Sequence, residues 1–168
     1  VFSALASYMS RPQHRGKIMF FLLTSRPDLL PVDLKRQGRA EEHISLFYPE
    51  EPAEHEAVIR WFLTRSGMGL TYDDLPEAVR NPGRPLSGAE IESLLARTRL
   101  EAAADDVPVT PELLQYVWDT FLPPDYAEDV RYQTLVAALE CTDRSLLPPS
   151  LRDLDRADLA ARVRREAR

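Results

Sequence analysis

The chain has 168 residues, 44% of them hydrophobic, enough for a packed core in one ordinary or two small domains and against wholesale disorder. A formal charge of −6 argues against a general nucleic-acid footprint, so no nucleic-acid partner is expected. Cys141 is the single cysteine, so no intrachain disulfide forms and a reducing, cytoplasmic setting is expected; no apolar run is long enough for a bilayer, and no membrane partner is expected.

The chain begins at Val1 inside a helix-compatible run, which reads as the start of a fragment. Phe2 to Met9 is apolar and helix-compatible, and Arg11-Pro12 stops it, because proline disfavours helical geometry in the residue before it. His14 to Lys17 form a polar turn. Ile18 to Thr24 is short, continuously apolar, and bounded by Gly16 and Pro27. A buried strand of a parallel sheet fits it best, with a buried helical turn as the alternative. A loop crowded with Arg26, Lys35, Arg36 and Arg39 follows. His43 to Phe47 alternates polar and apolar residues, predicting a second strand that ends at Pro49 and Pro52.

Helical patterning begins at Ala53. Val58, Trp61, Phe62 and Arg65 form one stripe that ends near Gly67. Thr71 and Asp74 form a capping pair for a short helix to Arg80. Ser87 and Glu90 form a capping box ahead of Ile91, Leu94, Leu95 and Thr98. Thr110-Pro111 opens the next helix, whose apolar face is Leu113, Leu114, Val117, Trp118 and Phe121. Asp125 and Glu128 resemble another box, before Tyr132, Leu135, Val136 and Leu139. A last, Arg-rich helix starts near Asp155. The fold class is therefore mainly α: about two strands up to residue 50, then a helical bundle.

Several side chains have ordinary explanations. Trp61 and Trp118 sit at helical spacing and predict core packing. Arg162, Arg164, Arg165 and Arg168 suit a solvated helix end that complements the macrodipole. His14, His43 and His55 show no metal spacing, so no metal site is predicted, and Asp73-Asp74 and Asp105-Asp106 suit helix starts or loops. Arg36 and Arg39 have a bland reading too, as surface ion pairs with Glu41 or Glu42. Ser25 equally suits a hydrogen bond within its own loop.

The run Thr24-Ser25-Arg26-Pro27-Asp28-Leu29-Leu30 through Gly38-Arg39, after Ile18 to Leu23, resembles the second region of homology of AAA ATPases. Leu86-Ser87-Gly88-Ala89-Glu90-Ile91 resembles the sensor-2 helix of the same family. The resemblance runs from about Gly16 to Phe47 and again from Leu86 to Ala102. It implies that residues 1–50 end the large α/β subdomain, with Ile18 to Thr24 as its fourth strand and His43 to Phe47 as its fifth. Residues 51–168 would form the small helical lid domain with a C-terminal extension.

The resemblance makes Arg36 and Arg39 arginine fingers that act in a neighbouring subunit's site. A guanidinium supplied in trans stabilises the charge spreading over a phosphoryl group leaving ATP. Ser25 stands at the sensor position, where the family usually has Asn. Gly88 and Ala89 match positions where backbone approaches the adenine. The implied cofactor is ATP with Mg in the parent protein. The implied partners are copies of the chain in a homo-oligomeric ring such as a hexamer, together with a protein substrate that is remodelled. No Gly-x-x-x-x-Gly-Lys-Ser/Thr phosphate loop occurs, and the acidic metal-holding motif is also missing, so the chain alone is expected to be inactive. Strands four and five without the strand between them expose open edges, which a strand-mediated dimer or direct pairing of the two would satisfy. The competing reading is a non-catalytic oligomerisation or adaptor module derived from the same family.

Overall fold

The computed structural model describes residues 2–36, 38–122 and 126–167. Asp125 of the expected capping box and Arg168 of the arginine cluster lie outside them. The chain forms two compact units: residues 48–125, and residues 1–47 together with 126–168. Compactness thus groups 126–168 with the N-terminal segment, whereas the sequence reading joined it to the preceding helices.

The 48–125 unit is built on helices whose ends are fixed locally. Helix α3 (Pro52–Ser66) opens with a capping box between Glu51 and Glu54 and has proline in its first turn. It ends at Gly67, whose φ of +64° is left-handed. Thr71 and Asp74 cap a single 3-10 turn (Tyr72–Asp74), and α4 (Glu77–Arg80) follows. Helix α5 (Gly88–Ala104) starts at the predicted box: Ser87 Oγ accepts from the Glu90 amide at 3.1 Å, and a Glu90 carboxylate oxygen accepts from the Ser87 amide at 2.8 Å. Helix α6 (Pro111–Thr120) is capped by Thr110, whose Oγ1 accepts from the Leu113 amide.

Both α3 and α6 pack against α5. Ile59, Leu63, Leu86, Leu94, Leu114 and Val117 are buried in one cluster, with Phe62 and Trp118 partly buried against it. Trp61 departs from the expectation of core packing. It is exposed, edge-on to Phe62 at 4.8 Å, with the Arg65 guanidinium 4.8 Å above its ring.

In the other unit, α1 (Phe2–Met9) and the short α2 (Val32–Lys35) bury Ala6, Met9 and Leu34 together. Helix α7 (Ala127–Glu140) packs along α9 (Arg156–Glu166), with α8 (Pro149–Arg152) between them in sequence. Leu135, Ala138, Cys141, Leu147, Leu151 and Leu159 form their core. No helix among the described residues is long and apolar enough to cross a membrane.

The fold is mainly α, and the expected two-strand remnant is not there: no strand occurs among the described residues. Residues 18–24 and 43–47 lack helical structure but form no strand ladder, with each other or with a third segment, among the described residues. A strand is defined by its ladder, and a ladder needs a partner the local pattern does not supply. Instead, Phe20 turns onto the Ala6–Met9–Leu34 cluster while Met19, Phe21 and Leu23 face solvent, Leu23 at 93% exposure. The second segment runs beside the end of α7. The His43 amide donates to Thr142 Oγ1 at 2.9 Å, Ser45 Oγ donates to the Ala137 carbonyl at 2.8 Å, and Phe47 packs on the α7–α9 core. Ile44 and Leu46 point outward between these anchors, Leu46 at 94% exposure. The period-two alternation is real, but α7 satisfies its inward face in place of a sheet.

Candidate functional site

The arginine-rich loop is closed by short-range bonds. Thr24 Oγ1 accepts from the Arg26 amide at 3.0 Å, and the Arg26 guanidinium forks onto Asp28 at 2.9 and 2.7 Å. That fork holds the Asp28 carboxyl below its ordinary value and raises the guanidinium. Pro27–Leu29 makes one 3-10 turn and α2 follows, with Leu34 fully buried as its anchor. After α2 the chain reverses. The Arg39 amide donates to the Arg36 carbonyl at 3.1 Å, with Gly38 at a φ of +81° that other residues rarely adopt. The Gly38 amide donates to Glu41 Oε2 at 2.9 Å, and the Ala40 amide returns to the Leu34 carbonyl.

Both candidate fingers converge on Asp33. Arg36 pairs with Asp33 Oδ1, and Arg39 lies 2.9 Å from Asp33 Oδ2. Arg39 also donates to the Asp33 carbonyl at 2.6 Å and, through Nε, to Ser10 Oγ at 2.7 Å. The two side chains therefore differ: Arg39 is 20% exposed and held from three directions, whereas Arg36 is 63% exposed and, among the described residues, held by Asp33 alone. The Arg39 hydrogen bond, followed by the charge of Arg36, holds the Asp33 carboxyl below its ordinary value. The expected pairing with Glu41 or Glu42 is not what forms among the described residues; Asp33, in α2 and three residues before Arg36, takes that place.

Arg36, Gly38 and Arg39 line a shallow recess of about 270 Å³ with Ser10 and Arg15. Arg15 makes no side-chain hydrogen bond or ion pair among the described residues, so three guanidiniums face one opening. Guanidiniums gathered at one opening are suited to an external anion. Sequence reasoning missed Asp33, Ser10 and Arg15. Asp33 was legible from its spacing to Arg36, but Ser10 and Arg15 reach the recess only through packing of α1 on α2.

The remaining predicted residues lie elsewhere. Ser25 is exposed, does not line the recess, and makes no hydrogen bond among the described residues. Gly88 and Ala89 belong to the other compact unit. The space facing Gly88 is taken by Phe62: a Cβ built on Gly88 would sit 3.1 Å from two atoms of that ring. Ala89 is exposed. Among the described residues, no group of three or more His, Cys, Asp or Glu side chains is placed to hold a metal.

Behind the loop, Lys35 Nζ lies 2.7 Å from Glu140 Oε1 and 3.3 Å from the Pro27 carbonyl. His43 places Nδ1 2.9 Å from the Glu140 carbonyl and Nε2 2.8 Å from the Ala40 carbonyl. These contacts tie both ends of the loop to the C-terminus of α7.

No family profile matches the chain, and no solved structure matches it. Among curated proteins, it is 30% identical over 90 residues to the ATP-dependent zinc metalloprotease FtsH of Marinobacter nauticus. The match covers 54% of this chain and 14% of that protein, so the chain corresponds to a small part of the relative's length.

Proposed function

We propose that this chain is the C-terminal portion of an AAA-type ATPase and that its arginine loop completes the nucleotide site of a neighbouring copy. The observation that carries the proposal is the unequal tethering of the two arginines: Arg39 is locked into the loop, and Arg36 is exposed on a single displaceable carboxylate. Similarity to a protein named for ATP dependence supports the same chemistry. Arg39 and Ser10 fix the shape of the loop. Arg36 exchanges Asp33 for phosphoryl oxygens presented from outside, and Arg15 adds charge at the same opening. MgATP held by the neighbour supplies the reacting phosphoryl group. The guanidinium of Arg36 stabilises the charge that develops on it. The parent protein acts as a homo-oligomeric ring in the cytoplasm that remodels protein substrates, with exposed Ala89 at the adenine edge.

The test is ATP turnover in the full assembly. Arg36→Ala lowers turnover by about 10³-fold, the usual scale of an arginine finger, while nucleotide binding is retained. Mixing this variant with one lacking a functional phosphate loop restores part of the activity, because each supplies what the other lacks. Unchanged turnover in Arg36→Ala overturns the proposal.

The adaptor reading has one specific support. Asp33 occupies both arginines with one carboxylate, and Ser25 offers no amide at the sensor position. An intact oligomer with no turnover in the unaltered parent would select it.

A further inference from the structure

A second cationic site lies far along the chain from the arginine loop and is independent of the reading above. Helices α7, α8 and α9 enclose an open groove of about 550 Å³. Its floor is apolar, made by Leu135 of α7 and Leu151 of α8, both themselves nearly buried. Its rim carries Arg131 from α7 and Arg162 and Arg165 from α9. Arg162 and Arg165 are three residues apart, so they share one helical face. Neither makes an ion pair or side-chain hydrogen bond among the described residues. Arg131 is already engaged by a carboxylate: Glu166 Oε2 lies 2.6 Å from its terminal nitrogen.

Charged residues at a helix C-terminus ordinarily need no ligand, since cations suit the macrodipole there. That explanation covers Arg164, which does not line the groove. It does not explain a third arginine arriving from a different helix, or the apolar floor between them. We propose that this groove binds a short acidic peptide segment whose carboxylates pair with Arg162 and Arg165 while an apolar side chain rests on Leu135 and Leu151. The Glu166–Arg131 pair shows the chemistry within the chain itself: a carboxylate docked on the same rim. The volume falls within the roughly 300–1,000 Å³ of ordinary ligand sites. Guanidinium forks favour planar carboxylates. An inorganic phosphate would use the rim and leave the floor uncovered, so a peptide with both features matches more of the groove.

The experiment is fluorescence anisotropy with the whole chain and a labelled peptide, Glu-Leu-Asp-Leu-Glu, at low salt. A control peptide replaces each acid with its amide. The acidic peptide is expected to bind, with the amide peptide at least tenfold weaker. R162E and R165E together should weaken binding at least tenfold, with an unchanged circular dichroism spectrum because both residues are exposed. R164E alters charge on the same helix outside the groove and should change affinity less than twofold. Three results would overturn the proposal: no binding of the acidic peptide, equal binding of the amide peptide, or equal loss in R164E. Displacement by pyrophosphate at the peptide's own concentration would also overturn it, in favour of a simple anion site.

Discussion

Lys35 and Glu140 stand 105 positions apart in sequence, and their charged groups meet at 2.7 Å. The contact joins the end of α2 to the last turn of α7, and both side chains are largely shielded from solvent. Removing one partner leaves the other charge poorly solvated and frees the Pro27 carbonyl. Lys35→Met should cost about 1–2 kcal/mol of stability, and Glu140→Gln less, because the amide still accepts a hydrogen bond. Urea denaturation checks both values. Equal stability in all three proteins would mean the pair is dispensable.

The two finger candidates should separate in a stability measurement. Arg39→Ala loses bonds to Ser10 Oγ, the Asp33 carbonyl and the Asp33 carboxylate, and should lower the melting temperature by several degrees. Arg36→Ala removes one exposed contact and should leave it unchanged within error. Differential scanning calorimetry distinguishes them, and the opposite order would exchange their assigned roles.

Acid should loosen the loop in a defined direction. Arg26 holds the Asp28 carboxyl low, and Arg39 with Arg36 does the same for Asp33. A folded-state value depressed below the unfolded one adds stability that is fully present above the unfolded value and lost as pH falls through the folded value. The ordinary value is near 3.8 for both aspartates, so the loss begins below about pH 4 and deepens further down. Glu90 follows the same sign: burial raises it, but Arg84 and Ser87 outweigh that and hold it low. Carboxyl-resolved NMR titration checks each group, and Asp33→Asn should remove the acid-dependent change around Gly38 and Arg39.

Gly88 is small because Phe62 stands against it. Gly88→Val forces the ring aside and should destabilise by about 1–3 kcal/mol. Phe62→Ala in the same chain should recover part of that loss, giving a measurable coupling between the two sites. Additive effects in a double-mutant cycle would show that the ring yields freely.

Residues 48–125 should fold without the rest of the chain, since their core, caps and helix contacts are all internal. Circular dichroism of that segment should show helix and one cooperative melt. A non-cooperative melt would show that its core depends on the other unit.

What was legible in the sequence was local. Ser87 with Glu90, Thr110 with Pro111 and the stop at Gly67 act within one or two turns, and each appears where spacing places it. Thr71 and Asp74 form their pair too, but they cap a single 3-10 turn, and the helix expected to run on to Arg80 is interrupted at Leu75-Pro76. The Glu51–Glu54 box has Glu at the N-cap in place of the usual Ser, Thr, Asp or Asn, so the spacing rule does not point to it. Ile18 to Thr24 and His43 to Phe47 failed as strands because extended pairing depends on distant partners. His43 and Ser45 found theirs in Glu140, Thr142 and Ala137, which no local window contains. At the arginine loop, the sequence located Arg36 and Arg39 but did not distinguish them. The difference lies in Ser10, brought by α1, and in the doubled use of Asp33.

The unit formed by the two chain ends has a consequence for synthesis. A ribosome adds residues from the N-terminus at about 5–20 per second, so Phe47 waits roughly 5–20 s before Glu140 is made. The middle unit can complete itself meanwhile, because everything it needs emerges in order. During the same interval the anchors that hold His43 and Ser45 do not yet exist, and Met19, Phe21 and Leu23 stay uncovered even afterwards. Until Glu140 is made, the N-terminal segment therefore presents its apolar side chains without those anchors, the kind of surface that chaperones cover during synthesis.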